Sequence, residues 1–413
     1  MVCVLFCPPL SAQDSYRDMV QVEAGYLVRC QFLSDPLDPA YGCINNTFGT
    51  PTWVVPRENA MAMLGLLSAA DLLGDQTYVD KARLAADYLV RVQDADGAWF
   101  NQYYFALAGD PSNPDNAEAL AKSPTQTAEV MIALFKLGYE EKYTKAMRKG
   151  AEYLLACQKN GGNGFLLGGG KDPSGSWRNW RWASDSSYAY QALKAAELWA
   201  LVQGDYRFAL FCSSACRRIV KGINQYLYIK DRKDPDYGVW YRVVDENNRP
   251  VDPQHYDWIN YAPQMLDLPC RGTGNPVVGE WIHSRLQDSS GACVWDNGDH
   301  ASRRSPGYSF QAVLCWLDLG QTGYAQQALD WAMKSGLWTN SISCDAAVGG
   351  WVDWQDAAGE TAPCWQRFID TSFYAIAAYA SGYDFNTLLG FLRISYQKKA
   401  FCLQFQFPDH GTE

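Results

Sequence analysis

The chain has 413 residues and a formal net charge of −10, and 48% of its residues are hydrophobic while 19% are charged. This composition supplies enough apolar material for a large core and excludes wholesale disorder. No apolar run reaches the ~18 residues that a bilayer span requires. The acidic balance makes the chain a poor general binder of nucleic-acid phosphate. We therefore expect a folded protein with no membrane span and no nucleic-acid partner.

The N-terminal segment, residues 1–13, reads MVCVLFCPPLSAQ. A possible cleavage site near Ser11-Ala12 favours an export signal, whereas the short apolar part and the lack of a preceding basic residue argue against one, so an export signal and a disordered leader both stay open. A glycosylation sequon at Asn45-Asn46-Thr47 is compatible with secretion. Secreted or periplasmic and cytoplasmic locations both stay open.

Cysteine and histidine patterns predict no metal site. The chain has 13 Cys and four His, no Cys-x-x-Cys pair, and no His pair at a ligand spacing. We expect neither a metal nor an organic cofactor. The disulfide pattern and the oligomeric state stay open.

An internal repeat decides the architecture. In each repeat an aromatic residue late in a helical pattern is followed by Gly and a second aromatic, often after a Gln. Six such anchors recur about every 61 residues: Tyr26, Tyr88, Tyr153, Tyr226, Trp281 and Trp331. That spacing accommodates two helices of about four turns and two connections, so each repeat is a helical hairpin.

The second helix of each hairpin differs from the first. These second helices begin near Arg57, Ser123, Ser184, Tyr256, Ser305 and Asp370. They are small and apolar nearly all round, which predicts burial, whereas the anchor helices are amphipathic. Six buried helices inside six amphipathic ones form an all-α (α/α)6 toroid. We expect it to span residues 14–390 as one domain, followed by a C-terminal tail, 391–413.

One repeat carries a recognisable motif. The segment Gln93-Asp-Ala-Asp-Gly-Ala-Trp99 resembles the Gln-x-x-Asp-Gly-x-Trp repeat of triterpene cyclases and the wider α/α-toroid superfamily. That superfamily also holds six-hairpin glycosidases and polysaccharide lyases. The resemblance covers roughly residues 16–390. It implies the fold but not the reaction, because one toroid hosts unrelated chemistries.

The long connections all follow an anchor helix, while the return connections are short. The long segments therefore emerge on one face, over the N-termini of the buried helices. Long loops in a compact domain are usually functional, and converging helix N-termini favour negative charge. We expect the active site on this face.

Four carboxylates are the candidate catalytic groups. Asp185, Asp257 and Asp370 lie at starts of buried helices, and Glu58 occupies the equivalent place in the first. Helix capping explains any single one equally well. The functional interpretation is that two face each other, one as general acid and the other as base or nucleophile. Asp185 and Asp257 are the leading pair. Resemblance to six-hairpin enzymes such as unsaturated glucuronyl hydrolases implies acids at similar positions.

Aromatic and arginine side chains are the candidate sugar-binding groups. Trp faces stack on sugar rings, and Arg pairs with carboxylate or sulfate. The densest cluster is Trp177, Arg178, Trp180, Arg181 and Trp182, and the remaining candidates are Tyr188, Trp258, Tyr261 and Arg367. The alternative is that these Trp side chains pack back onto the toroid rim. Arg57, Arg271, Arg303 and Arg304 also fall in loop-face segments, so an anionic or a neutral sugar is compatible.

Four functions follow from these residues. The leading hypothesis is a glycoside hydrolase acting on an oligo- or polysaccharide. The second is a polysaccharide lyase that uses His255 with Tyr256 or Tyr261 and an Arg. The third is a terpene or prenyl enzyme, although the chain lacks the Asp-x-Asp-Asp acid motif. The fourth is a non-catalytic glycan-binding toroid. The sugar and the linkage stay open.

Overall fold

The computed structural model describes residues 10–44, 53–104, 110–111, 116–298, 301–338, 350–361 and 369–381. Its helices are α1 (Leu10–Arg29), α2 (Pro56–Leu73), α3 (Thr77–Arg91), α4 (Pro124–Leu137), α5 (Glu141–Ala156), α6 (Ala183–Val202), α7 (Tyr206–Gly222), α8 (Ala262–Met265), α9 (Pro276–Leu286), α10 (Pro306–Asp318), α11 (Thr322–Lys334) and α12 (Ile369–Ser381). Short π-helical turns, Cys157–Gly161 and Ile223–Leu227, extend α5 and α7.

The even-numbered helices form a closed inner ring. Each contacts the next, from α2 through α4, α6, α8 and α10 to α12, and α12 packs against α2. The odd-numbered helices lie outside this ring: α3 packs on α2, α5 on α4, α7 on α6 and α11 on α10. Helix α1 closes the circle by packing on α12. The protein is therefore an (α/α)6 toroid, as the repeat predicts.

Composition explains which helices are inside. Helix α2 buries an almost unbroken run from Asn59 to Ala70, whereas α3 buries only one stripe that includes Ala82, Ala86 and Leu89. Close packing of the inner ring requires small residues. A Cβ on Gly65 would lie 3.1 Å from a methyl carbon of Leu27, which is tighter than ordinary contact.

A repeated glutamine clamp explains the sequence motif. The Nε2 amide of Gln93 donates to the carbonyl of Gly97 in its own turn at 2.8 Å and to Ala146 on the next outer helix at 2.9 Å. Gln31, Gln158 and Gln287 make the same double donation, each to its own loop and to the next outer helix. The motif thus ties each hairpin to its successor.

Glycine in the motif is required by geometry. Gly97 has φ of 90°, and a Cβ there would come within 2.2 Å of the Lys149 carbonyl oxygen. The indole of Trp99 donates back to the Leu89 carbonyl at 2.7 Å. Beside it, Asp94 and Asp96 accept from the Lys122 ammonium, at 2.5 and 3.0 Å. These two aspartates are structural.

Two short antiparallel ribbons stiffen the loop face. β1 (Trp53–Val54) pairs with β2 (Tyr103–Tyr104), and β3 (Arg181–Trp182) pairs with β4 (Val243–Val244). They join the segment before α2 to the segment before α4, and the start of α6 to the long loop before α8. The return connections 74–76, 138–140, 203–205 and 319–321 leave from the opposite face.

The fourth inner helix is shorter than the repeat predicts. A 3₁₀ turn, Trp258–Tyr261, leads into the four residues of α8. The chain then leaves the ring because Asp267 adopts a φ of 49°, and Pro269 follows soon after. Helix α1 begins at Leu10, inside the segment 1–13 that was expected to be separate. The sequon and the tail 391–413 lie outside the described residues.

Within the described residues, no helix is long and apolar enough to cross a membrane. The same part of the chain contains no cluster of His, Cys, Asp and Glu that would hold a metal ion. Its eight cysteines are all free thiols, and seven of them are buried.

Candidate active site

Side chains from the first two turns of several inner helices approach one another at the loop face. Glu129, Tyr188 and Tyr374 are each the sixth residue of α4, α6 and α12. The hydroxyls of Tyr188 and Tyr374 lie 3.2 Å apart, and the Trp258 ring meets Tyr188 edge-on at 6.4 Å between centroids. The guanidinium Nε of Arg57 lies 4.0 Å from Glu129 Oε2. These residues line the centre of the ring.

Asp185 is the third residue of α6, and it does not cap its own helix. The N-cap is Trp182, which makes no side-chain capping bond. Instead, Oδ1 of Asp185 accepts from the backbone nitrogen of Thr125 at 3.2 Å and from its hydroxyl at 2.7 Å. Burial raises the pKa of Asp185 to about 6, although the Thr125 bonds oppose that rise. The carboxyl therefore titrates close to neutral pH.

Asp257 combines capping with an ion pair. Its side chain accepts from the Ile259 nitrogen at 2.8 Å, and its own nitrogen donates to Asn260 Oδ1 at 3.0 Å, which completes a capping box. Arg242 Nε lies 2.7 Å from Asp257 Oδ2, and its guanidinium stacks 5.0 Å above the Trp182 ring. Burial raises the pKa of Asp257, and the charge of Arg242 opposes this.

For the other two candidate acids, Glu58 and Asp370, the structure gives helix position and, for Glu58, burial. Glu58 is the third residue of α2, the same position that Asp185 holds in α6, and its side chain is buried. Asp370 is the second residue of α12, but its side chain lies outside the described part of the chain, as does Arg367.

His255 lies between two carboxylates. Its Nδ1 is 3.4 Å from Asp252 Oδ2, and its Nε2 is 3.9 Å from Asp296 Oδ2. Within the described residues, the buried Nε2 makes no hydrogen bond.

The two tyrosines that sequence reasoning joined to His255 are engaged elsewhere. The hydroxyl of Tyr256 donates to Asp236, and its ring packs edge-on against Trp281 of outer helix α9 at 5.5 Å. Tyr261 is 1% exposed, and burial raises its pKa well above the usual value. Tyr256 therefore faces the outer helices and not the centre of the ring.

The predicted Trp and Arg cluster divides by exposure. Trp180 is 50% exposed, whereas Trp177 packs against the Tyr153 ring at 6.0 Å beneath the loop. Arg178 is ion-paired with Glu118. Arg181 is buried and donates to the Asp245 carbonyl at 2.6 Å, so its donors stiffen the β3–β4 loop. Trp180 alone of these five presents a large free face.

Sequence reasoning missed several residues at this face. Glu129 and Tyr374 lie one turn deeper than the helix starts. Glu129 is six residues after the predicted start Ser123, but Tyr374 is only four after Asp370, so one fixed count from the predicted starts does not find both. Arg242 and Asp296 belong to loops, where no pattern indicates which side chain points inward. Trp240, which the sequence placed among the loop aromatics, is wholly buried, and its carbonyl accepts from Asn260.

Comparison with known proteins supports the fold. No protein-family model matches the sequence, and no curated protein matches it either. Solved structures do match. The cellobiose 2-epimerase from Bacillus thermoamylovorans B4167 is 11% identical at a TM-score of 0.63, and the match covers 88% of this chain and 98% of that one.

Two further matches have similar extent. A wild-type glycosidase is 12% identical at a TM-score of 0.62, covering 93% of this chain and 99% of the other. A D-mannose isomerase is 10% identical at a TM-score of 0.59, covering 93% and 100%. At such identities the likeness establishes the shared toroid, a fold on which these sugar-processing enzymes are built.

Proposed function

We propose that the protein is a carbohydrate-processing enzyme whose reaction centre lies on the loop face, at the N-termini of the inner helices, and that its reaction is glycoside hydrolysis. The observation that carries this proposal is Asp185, a buried carboxyl in the first turn of an inner helix whose pKa is raised to about 6. A carboxyl that is partly protonated near neutral pH can donate a proton to a glycosidic oxygen.

Asp257 is the second carboxylate of the proposal. Arg242, 2.7 Å away, favours its ionised form, whereas Asp185 has no ion-pair partner among the described residues. Two carboxyls in such different surroundings divide into an acid and a base or nucleophile. The distance between the two carboxyl groups then sets the stereochemical outcome. A separation of ~5–5.5 Å predicts retention of configuration at the sugar, and ~6.5–9.5 Å predicts inversion.

The aromatic side chains support a sugar substrate. Trp180 offers an exposed indole beside β3, and Trp258 lies half-buried against Tyr188. Indole faces stack against the apolar faces of sugar rings. The sugar-processing activity in the names of the structurally similar proteins is consistent with this assignment.

A second candidate reaction is proton transfer at a sugar carbon. The observation that favours it is His255, whose Nε2 lies 3.9 Å from Asp296 and makes no hydrogen bond within the described residues. A histidine so placed could remove a proton next to a carbonyl or carboxylate. That step is common to epimerases, isomerases and lyases.

One experiment separates these reactions. The protein is incubated in D2O with a panel of neutral and acidic oligosaccharides, and the products are followed by NMR and ultraviolet absorbance. Hydrolysis creates new reducing ends without deuterium at carbon. Epimerisation or isomerisation exchanges a C–H for deuterium at constant chain length, and a lyase forms an absorbing unsaturated product.

Two variants assign the roles. We expect Asp185→Asn to abolish hydrolysis and His255→Asn to leave most of it intact. If the wild-type protein turns over no sugar in the panel, the proposal fails. If His255→Asn alone is inactive and deuterium enters the product, proton transfer at carbon replaces hydrolysis.

A further inference from the structure

Arg303 is held between two indole rings in the loop before α10. Its guanidinium carbon lies 4.4 Å from the centre of the Trp354 ring and 5.8 Å from that of Trp295. Both contacts are within the range of cation–π attraction. The side chain is half-buried, so the two rings fix a charged group that is usually mobile.

This arrangement adjoins the candidate active site. The backbone nitrogen of Trp295 donates to the backbone carbonyl of Arg303 at 2.8 Å, and this bond fixes the loop before α10. The Trp295 ring packs at 5.8 Å against Tyr308, the third residue of inner helix α10. Asp296, which follows Trp295 in the chain, has its Oδ2 atom 3.9 Å from His255 Nε2. Arg303 therefore sits on the loop face, close to the proposed reaction centre.

Among the described residues, no carboxylate pairs with Arg303. It forms no hydrogen bond or ion pair through its side chain with any residue that the structure describes, whereas its neighbour Arg304 lies 2.5 Å from Asp288. Stacking uses the faces of a guanidinium and leaves its five N–H donors, which lie in the plane, available. An arginine immobilised in this way is suited to bind an anion.

We propose that Arg303 recognises an anionic substituent, a carboxylate or sulfate, on the sugar that occupies the loop face. This inference rests on the proposed function and specifies its substrate class. The planar fork of arginine matches a carboxylate or sulfate through two parallel hydrogen bonds. A local positive site is also needed because the chain carries a net charge of −10, which opposes the approach of an anion.

The test compares ligands that differ only in charge. Binding of tetragalacturonate and its carboxyl-reduced counterpart, and of a sulfated disaccharide and its unsulfated parent, is measured by calorimetry with the full chain. We expect the wild-type protein to prefer at least one anionic member by ~10-fold or more. The pair that shows the preference identifies the carboxylate or the sulfate as the group recognised.

Variants isolate the role of Arg303. Arg303→Gln should remove the preference and leave the affinity for the neutral ligand within about twofold. Arg303→Lys should restore only part of it, because an ammonium cannot make the bidentate contact. Arg271→Gln is the charge-matched control, since Arg271 lies in an exposed cleft with Lys221 and Lys230 at the C-terminal end of outer helix α7. Thermal unfolding confirms that each variant is folded.

Three outcomes overturn the proposal. These are a wild-type protein that binds neither anionic ligand, one that binds charged and neutral ligands alike, or an Arg271→Gln variant that loses the preference as fully as Arg303→Gln. Turnover is measured in parallel. An anionic preference that depends on Arg303 in a protein that transforms no sugar would contradict the proposed enzyme while the recognition stands.

Discussion

Thr125 places both of its donors on one oxygen of Asp185. The backbone nitrogen lies 3.2 Å and the hydroxyl 2.7 Å from Oδ1, so the start of α4 is joined to the start of α6. The same two bonds stabilise the ionised carboxylate and oppose the effect of burial on its pKa. The same hydrogen bonds therefore join the two helices and lower the pKa of the candidate acid.

This relationship predicts a shift in the pH dependence of activity. Thr125→Val removes the hydroxyl bond, so the pKa of Asp185 should rise above about 6. Because a general acid works only while protonated, the alkaline limb of the pH–rate profile should move to higher pH. The measurement is kcat/KM between pH 4 and pH 9. A valine variant with an unmoved alkaline limb would show that Asp185 is not the acid.

Replacing the carboxyl of Asp185 should affect turnover more than Thr125→Val does. Asp185→Asn keeps the size of the side chain but removes the proton donor, so turnover should fall by ~100-fold or more. The matched control is Asp172→Asn, which alters a half-buried loop aspartate of the same face. Circular dichroism and thermal unfolding verify that both variants are folded. Wild-type turnover in Asp185→Asn would exclude the assignment.

The Arg242–Asp257 pair should show strong coupling in a double-mutant cycle. Arg242→Gln leaves the buried Asp257 carboxylate without its cation, which should cost roughly 3–5 kcal/mol of the free energy of unfolding. Asp257→Asn should cost less, because Asn retains the capping acceptor. Combining the two should recover part of the loss. Urea denaturation measures all four proteins, and strictly additive losses would mean that the ion pair contributes nothing.

Glu23 predicts a dependence of stability on pH. It lies on α1, where the Trp351 indole donates to it, and burial raises its pKa to about 8. Because the folded-state pKa exceeds the ordinary value of 4.5, stability is highest below that value and falls as pH rises towards 8, by up to ~1.4 kcal/mol per unit.

Glu23→Gln tests this expectation. The amide stays neutral and keeps an acceptor for Trp351, so the variant should lose less stability than the wild-type protein between pH 5 and pH 9. Urea midpoints at several pH values provide the comparison, with exposed Glu152→Gln as control. Parallel profiles for Glu23→Gln and wild type would argue that the carboxyl is ionised at little cost.

The glutamine clamps predict losses of stability at two distant turns. Gln93→Leu and Gln287→Leu each remove two hydrogen bonds to backbone carbonyls, and each should cost roughly 2–3 kcal/mol. The control is Gln326→Leu on outer helix α11, an exposed position that bonds only Asp330. Chemical denaturation measures the three variants. Equal losses at the clamps and at Gln326 would refute the structural role of the motif.

The repeat and its hydrophobic pattern determined the architecture. Helix periodicity distinguishes α2, which is apolar nearly all round, from the amphipathic α3, because hydrophobic residues occupy the helix faces that become buried. The Gln93 motif likewise indicates a tight turn, since glycine at a positive φ is a local requirement. The clamp at Gln287 was present in the sequence but was missed, because Cys293 occupies the place that Trp99 holds.

Only the tertiary structure decided which polar side chains meet at the loop face. Asp185 bonds Thr125 on the neighbouring helix, 60 residues away, and Arg242 reaches Asp257 from a separate loop. Contacts of this kind depend on how the ring closes and on which way each loop turns. Loop sequences show no periodic pattern that indicates the direction of a side chain. The sequence therefore does not distinguish Trp180 on the surface from Trp240 in the core.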